Sequence, residues 1–462
     1  MSTATARRVT AAFQSGPMAV RGFRLLAGGQ FASTIGDYCY AVALPWLVLS
    51  NHGSTVELGI VLACYGIFRT AMIPVGGILA DKIGPRTLML TADIMRCILV
   101  AILTLLAARH SASLIALAPT AALIGGGEGL FLPASFSIMP SLLDGSRLAA
   151  GNALSSSAVQ VGSLIGPAIG GAMVAITGAS TAAFGIDALS FAISAATLAL
   201  IPRHPAPGSM AAQAAEEAAQ ADTTTLPAGT GPQIPATGPD GLPAGPATLT
   251  AAPPAKPQSV LAYIRQSRAI QVIMVVGVAA NLANGGMGEV ALPALAHAHW
   301  GAGGYGALLA SMAAGAVIGT LIAARSGRIR NPAMTTSVAF IIEAAAITSL
   351  PFLGGEAGAA AALLILGACS GLGNVLFFTM AQRSIPSAIL GRVLSMVMLC
   401  TAGAFPLSVL VTGLLIHHIG TTPFFPIAGI FLVVAIIGGN TQRAFRDFGR
   451  PGGTPPSMKT AG

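Results

Sequence analysis

The residues best placed to do chemistry are acids and bases stranded inside apolar stretches: Asp37, Arg69, Asp93, Arg96, Glu128, Asp187, Glu289 and Glu343. A charge inside an apolar medium costs about 3 kcal/mol or more, so such residues mark pairing, proton relay or ligand recognition. Asp37 and Arg69 fall near the middles of successive stretches. If those stretches are antiparallel neighbours, the two side chains lie at similar depth, which makes a buried pair geometrically possible. A carboxylate held between the penalty of burial and the pull of an arginine can release its proton when it is wetted by a new compartment. Asp37 is therefore expected to carry a proton, against a purely structural pair with Arg69. Glu128 is the second candidate, because Gly125, Gly126 and Gly127 before it let a helix approach closely. Glu289 follows Asn281 and Asn284, whose amides suit a polar solute. Glu343 reads as a helix-packing acid. Asp93 and Arg96, three apart on one helical face, and Asp187 read as structural pairing groups.

Other chemistries find little support. His52, His110, His297, His299, His417 and His418 lie at stretch ends on one side, without acid or thiol partners, so solvated loop histidines are expected and no metal. The cysteines, Cys39, Cys64, Cys97, Cys369 and Cys400, all lie in apolar stretches with no CxxC spacing, which indicates neither a disulfide framework nor a zinc site. No nucleophile elbow, HExxH or Gly-rich phosphate loop occurs, so no cofactor and no enzymatic activity are expected. Without an ATP site, energy must come from an ion gradient or from the solute's own.

What positions these groups follows from composition. Apolar residues make up 54% of the chain and charged residues 8%, against roughly 25% charged in soluble domains. Stretches long enough to cross about 30 Å of hydrocarbon run over 24–49, 56–80, 87–108, 113–139, 150–176 and 180–201, then 269–296, 303–324, 333–353, 358–381, 393–416 and 424–442. Lipid offers backbone amides no partner, so an all-α membrane protein of twelve transmembrane helices is expected. Twenty of the 23 Lys and Arg residues fall on every second connection or the tails. Only Arg109 lies opposite, and Arg69 and Arg96 lie within stretches. Basic loops stay cytoplasmic, which predicts a multi-pass protein of the cytoplasmic (inner) membrane with both termini inside. The same scatter excludes a nucleic-acid stripe despite a net charge of +8. The first 22 residues lack a cleavable leader pattern, so the first span is expected to be an uncleaved anchor.

The chain divides into an N-terminal tail (1–23), a first six-helix bundle (24–201), a linker (202–258), a second bundle (259–442) and a C-terminal tail (443–462). The linker holds 12 of the 30 prolines and reads as disordered. The halves echo each other. GGILADKIGPR from Gly76 to Arg86 is matched 243 residues later by GTLIAARSGRI from Gly319, and Pro140 and Arg147 are mirrored by Pro386 and Arg392. Matching loops at offsets of 243, 246 and 245 residues point to duplicated bundles.

The loop from Gly77 through Asp81, Lys82 and Gly84 to Arg86 resembles the signature loop of the major facilitator superfamily. Gly162, Gly166, Pro167, Gly170 and Gly171 resemble the GxxxGPxxGG motif of its antiporter branches. Gly36-Asp37, Ala43-Leu44-Pro45, Asp93-Ile94-Met95-Arg96, Asp187 to Phe191 and Gly371-Leu372-Gly373-Asn374 are similar to its enterobactin-exporter and macrolide-efflux-like branch. The loop departs from the pattern at Pro85, and the second copy has Ala324 where Asp81 stands. The resemblance implies two six-helix bundles around a cavity lined by spans 1, 4, 7 and 10, with Asn281, Asn284, Glu289, Asn374 and Phe377 as solute contacts. It places Glu343 on a peripheral helix. It also implies a conformational latch in which Gly77, Asp81, Gly84 and Arg86 meet the start of span 11 at Arg392.

Physically, an acid beside a helix N-terminus is attracted by its dipole, and rupture of that contact favours one conformation over another. Gly162, Gly166 and Gly170 share a helical face, and small faces suit close helix packing in lipid. The expected function is export of a hydrophobic or amphipathic small molecule (a drug, macrolide or siderophore-like compound) by proton antiport with alternating access. The expected partners are that solute, protons and lipid, with no nucleic acid and a monomeric chain. Nutrient uptake, facilitated diffusion and a transport-deficient sensor or scaffold are the competing functions.

Overall fold

The computed structural model describes residues 16–51, 53–109, 112–202, 264–325, 331–385 and 387–442, with a few side chains inside helices, Arg392 and Arg383 among them, outside the description. The tails, almost all of the expected linker, His52, His110 and Pro386 also lie outside the described residues.

Twelve helices are long and apolar enough to cross a membrane, and the chain is a multi-pass membrane protein. They are α1 (Arg21–Ser50), α2 (Thr55–Ile83), α3 (Pro85–Ala108), α4 (Leu114–Leu142), α5 (Gly145–Thr177), α6 (Thr181–Ala199), α7 (Ile270–His299), α8 (Gly301–Arg325), α9 (Pro332–Ser349), α10 (Glu356–Ser384), α11 (Ser387–Ile419) and α12 (Thr421–Thr441). Most run a few residues beyond the apolar stretches that announce them, because polar end residues continue the backbone hydrogen bonding into the interface. Residue 84 joins α2 to α3 in a single step. Gly84 has φ +85°, a conformation glycine adopts without steric penalty, and Pro85 then occupies the first helical position, where its missing N–H is not needed. Ser54 caps α2 by accepting from the Glu57 amide at 3.2 Å.

In the first half, α1 packs on α5 and α6, α2 on α4, and α3 on α4 and α6. In the second, α7 packs on α11 and α12, α8 on α10, and α9 on α10 and α12. The halves meet along two seams, α5 against α8 and α2 against α11. Large apolar side chains on α3, α9 and α12 remain exposed, among them Ile98, Ile102, Leu105, Met334, Val338, Ile430 and Val434. Those three helices therefore present an oily outer surface, as lipid contact requires.

Both seams lie toward one end of the molecule. Gly171 and Gly306 bring α5 and α8 together so closely that a Cβ on Gly171 would stand 2.8 Å from the Gly306 Cα. Near the same end a Cβ on Gly59 would meet the Val409 carbonyl at 2.8 Å, and Thr55 donates to the Gly413 carbonyl at 3.1 Å. Arg21, Arg24, Lys82, Arg86, Arg147 and Arg325 sit at the other end, here called the basic end.

One local feature has no counterpart in the apolar pattern. The seventh span is not a uniform α-helix: Met287–Ala291 forms a π-helical turn, with Leu292–His299 completing the span. Such turns leave side chains off the regular helical register and often occur at functional positions.

Candidate functional site

Two sets of polar residues occupy the middle of the molecule. The first is a charge cluster in the first half. On α4, Gly125 and Gly129 lie against the α2 backbone at Tyr65 and Arg69, and Gly127 lies against the Arg96 side chain of α3, where a Cβ would meet Cγ at 2.9 Å. These close contacts turn Glu128 toward α2. There it accepts from the Tyr65 hydroxyl and lies 3.0 Å from Arg69 Nε. The approach is off the line of the N–H, so the Arg69 contact is an ion pair rather than a hydrogen bond.

Arg96 of α3 is 2% exposed and pairs with Asp93, which also accepts from Ser194 of α6 at 2.6 Å. The guanidinium is sandwiched between the rings of Phe131 at 4.7 Å and Phe191 at 4.3 Å. It reaches Asp37 of α1 at 3.8 Å. Asp187 of α6 is buried and holds the Ser190 hydroxyl on its own carbonyl at 2.8 Å.

The expected Asp37–Arg69 pair is thus corrected: Asp37 pairs with Arg96, and Arg69 with Glu128. Equal depth does not make two residues neighbours. The α4 glycines pull Glu128 onto Arg69, while Arg96 projects from α3 toward α1. Arg69 remains within the electrostatic reach of both Asp37 and Glu289. Asp37 keeps 48% of its side-chain surface open although it lies midway along a span. Asp37 lies beside Arg96 and within the electrostatic reach of Arg69, so its open surface belongs to the charged interior rather than to lipid.

The second set lines a cavity of about 580 Å³. Its wall contains Asn281 and Asn284 of α7, Asn374 and Phe377 of α10, Thr320 of α8, Thr336 and Phe340 of α9, Thr401 of α11 and Gln160 of α5. Four of the five expected solute contacts come together here. Glu289 does not join them: it sits in the π-helical turn and faces the charge cluster instead. Spans 1 and 4, expected in the wall, contribute nothing to it, because their central polar residues are engaged with Arg69 and Arg96. None of the described residues of the wall is charged. Amides and hydroxyls supply its polarity, and the rest is aliphatic or aromatic. Ile273, Thr320, Thr336 and Met380 place the cavity in the half toward the basic end, beneath the sealed end.

Gln160, Thr336 and Phe340 were not identifiable from sequence; Thr336 stands between Thr335 and Ser337, and only the packing decides which of such neighbours turns inward. Glu343 of α9 is fully buried and accepts from Asn284 Nδ2 at 2.6 Å, so it stands directly behind the wall.

The remaining expected sites separate. Gly162, Gly166 and Gly170 pack against α1 at Thr34, Ile35, Tyr38 and Cys39, whereas Gly171 faces α8. The motif therefore serves two neighbours, one inside its half and one across the seam, with α5 continuing through Pro167. In the loop, Gly76 rather than Gly77 makes the close helix contact; a Cβ on Gly77 would meet nothing within 4 Å. Arg86 donates to the last carbonyls of α6, Leu198 at 2.9 Å and Ala199 at 2.7 Å, and so caps that helix. Asp81 is exposed at the end of α2, and the Arg392 side chain it was expected to meet lies outside the described residues.

A twelve-helix molecule with two six-helix halves, a mid-membrane charge cluster and a cavity between helices of the second half has the architecture of a secondary transporter. The family model of the Major Facilitator Superfamily matches residues 26–405, and the chain belongs to that superfamily. Among curated proteins it is similar to the multidrug efflux pump Tap of Mycolicibacterium fortuitum, 28% identical over 166 residues that span 35% of this chain and 39% of Tap. A putative multidrug resistance protein, MdtD of Citrobacter koseri, is 28% identical over 150 residues, 32% of this chain and 31% of MdtD. These matches thus span less than half of each relative. Among solved structures, the nucleoside transporter NupG (D323A mutant) aligns with a TM-score of 0.66 at 14% identity, covering 91% of this chain and 99% of that one. A D-xylose–proton symporter aligns with a TM-score of 0.65 at 12% identity, covering 90% and 96%.

Proposed function

We propose that this protein exports an uncharged or amphipathic small molecule across the cytoplasmic membrane in exchange for protons, by alternating access. The observation that carries the reading is the imbalance of the central charge cluster. Among the described residues Asp37, Asp93, Glu128, Asp187 and Glu289 face two cations, Arg69 and Arg96, and of the two acids that combine an arginine contact with open surface Asp37, at 48%, is more open than Glu128, at 28%. An acid surplus without counter-charge in a low-dielectric setting is neutralised by bound protons. The carboxylate open to the central space is the one able to exchange its proton with water.

The solute then occupies the neutral cavity of the second half, bound by the amides of Asn281, Asn284 and Asn374 and by contact with Phe377. Basic loops are retained on the cytoplasmic side. The basic end is accordingly cytoplasmic, and the molecule stands closed to the outside. The similarity to proteins named for multidrug efflux and resistance supports the outward direction. Everted vesicles with an imposed pH gradient, screened with lipophilic cations, macrolides and siderophores, test the proposal. Asp37→Asn should abolish gradient-driven accumulation while solute binding persists. Undiminished proton-driven transport by that variant would remove Asp37 as the carrier.

A further inference from the structure

Glu343 is fully buried on α9, away from the charge cluster, and among the described residues no cation pairs with it. On α10 the titratable group set toward it is Cys369, at α7 it meets Asn284, and α12 contains no titratable residue in Thr421–Thr441. Burial of a carboxyl without counter-charge or full hydrogen bonding carries a large penalty.

The pair it forms with Asn284 is half complete. Asn284 Nδ2 donates to Glu343 Oε1 at 2.6 Å. The other oxygen of each group, Asn284 Oδ1 and Glu343 Oε2, is buried without a partner. Both orphaned atoms are acceptors, and both belong to the same two side chains. A carboxylic acid and a primary amide can pair through two antiparallel hydrogen bonds, N–H to one acid oxygen and O–H to the amide oxygen. One proton on Glu343 supplies the missing donor and satisfies both orphans in one step.

We propose that Glu343 and Asn284 form a second proton-binding site, with Asn284 in the wall of the solute cavity and Glu343 directly behind it. A proton from cavity water bonds to Glu343 Oε2, and the new O–H donates to Asn284 Oδ1. Its return to water leaves that amide oxygen as an unsatisfied acceptor. Asn284 is also a wall residue, so a solute that turns the Asn284 amide toward the cavity takes away the acceptor of the Glu343 proton. Mutual exclusion of proton and solute at a shared group is what exchange of one for the other requires. This link to solute rests on the cavity reading above; the proton site itself does not.

Infrared difference spectra of the full chain in lipid bilayers, recorded between acid and alkaline pH without solute, read the site directly. The wild type should show a carboxylic-acid carbonyl band that Glu343→Gln removes, since the glutamine closes the same two hydrogen bonds as a permanent amide pair. Asn284→Leu should keep that band but shift it, because the acid loses its amide partner. A spectrum unchanged by Glu343→Gln, or a Glu343 band unmoved by Asn284→Leu, would overturn the site. Asp37→Asn removes a different component, so failure of the export mechanism and failure of this proton site are told apart.

Discussion

Arg69 and Arg96 are two arginines within one bundle that their surroundings assign to different work. Arg96 is 2% exposed, clamped between two aromatic rings and tied to Asp93, which is itself fully buried. Arg69 is 36% exposed and stands where the two halves meet. Arg96→Met should leave Asp93 as an uncompensated buried charge and lower stability by about 3–5 kcal/mol. Thermal unfolding in detergent would show this as a marked fall in Tm. The Arg96→Met/Asp93→Asn double variant should recover much of the loss, because neighbouring substitutions of one ion pair are not additive. The identity of these charged residues was legible in the sequence, since any charge inside an apolar stretch is conspicuous. Their pairing was not. Two carboxylates and two guanidiniums at similar depth permit several pairings, and the choice is made by Gly125, Gly127 and Gly129, whose close contacts fix which way Glu128 turns.

Helices show the opposite balance. All twelve spans were readable from apolar length, and even the duplicated loops were visible, because lipid imposes helical hydrogen bonding on any long apolar stretch. The π-helical turn at Met287–Ala291 was not readable, for it changes the register without changing composition. Nor was the division of the GxxxGPxxGG stretch between two neighbours, since equal spacing cannot say which helix each glycine meets. That division yields a test. Valine at position 171 adds bulk where a first carbon already stands 2.7 Å from the Ala302 carbonyl and 2.8 Å from the Gly306 Cα. Gly171→Val should therefore force α5 from α8 and disfavour the sealed end. A cysteine placed at Gln160 in a cysteine-free background should then react more slowly with an impermeant maleimide added at the basic end. An unaltered rate would mean that this seam does not govern access. Gly162→Ala, aimed at α1 within the same half, should strain packing against Thr34 and leave the access pattern unchanged.

Taken whole, the molecule keeps its charges and its cavity in different halves. The acids belong mainly to α1, α3, α4 and α6, and the solute-sized space to α7 through α11. At one end the halves meet through glycine backbones together with the tilted rings of Trp46 and His297, 4.7 Å apart between centroids, so parting the halves must break that ring contact as well. The absence of formal charge among the described residues of the cavity wall also has an electrical consequence. If the solute crosses uncharged while protons return the other way, every cycle moves net positive charge across the membrane, and each elementary charge is worth about 2.3 kcal/mol per 100 mV. Transport should then be electrogenic. A potassium diffusion potential set with valinomycin, at equal pH on both sides, ought to drive solute movement by itself, and its reversal ought to reverse the flux. A carrier insensitive to voltage would have to move a cationic solute of matching charge, for which the amide-lined wall offers no counter-ion.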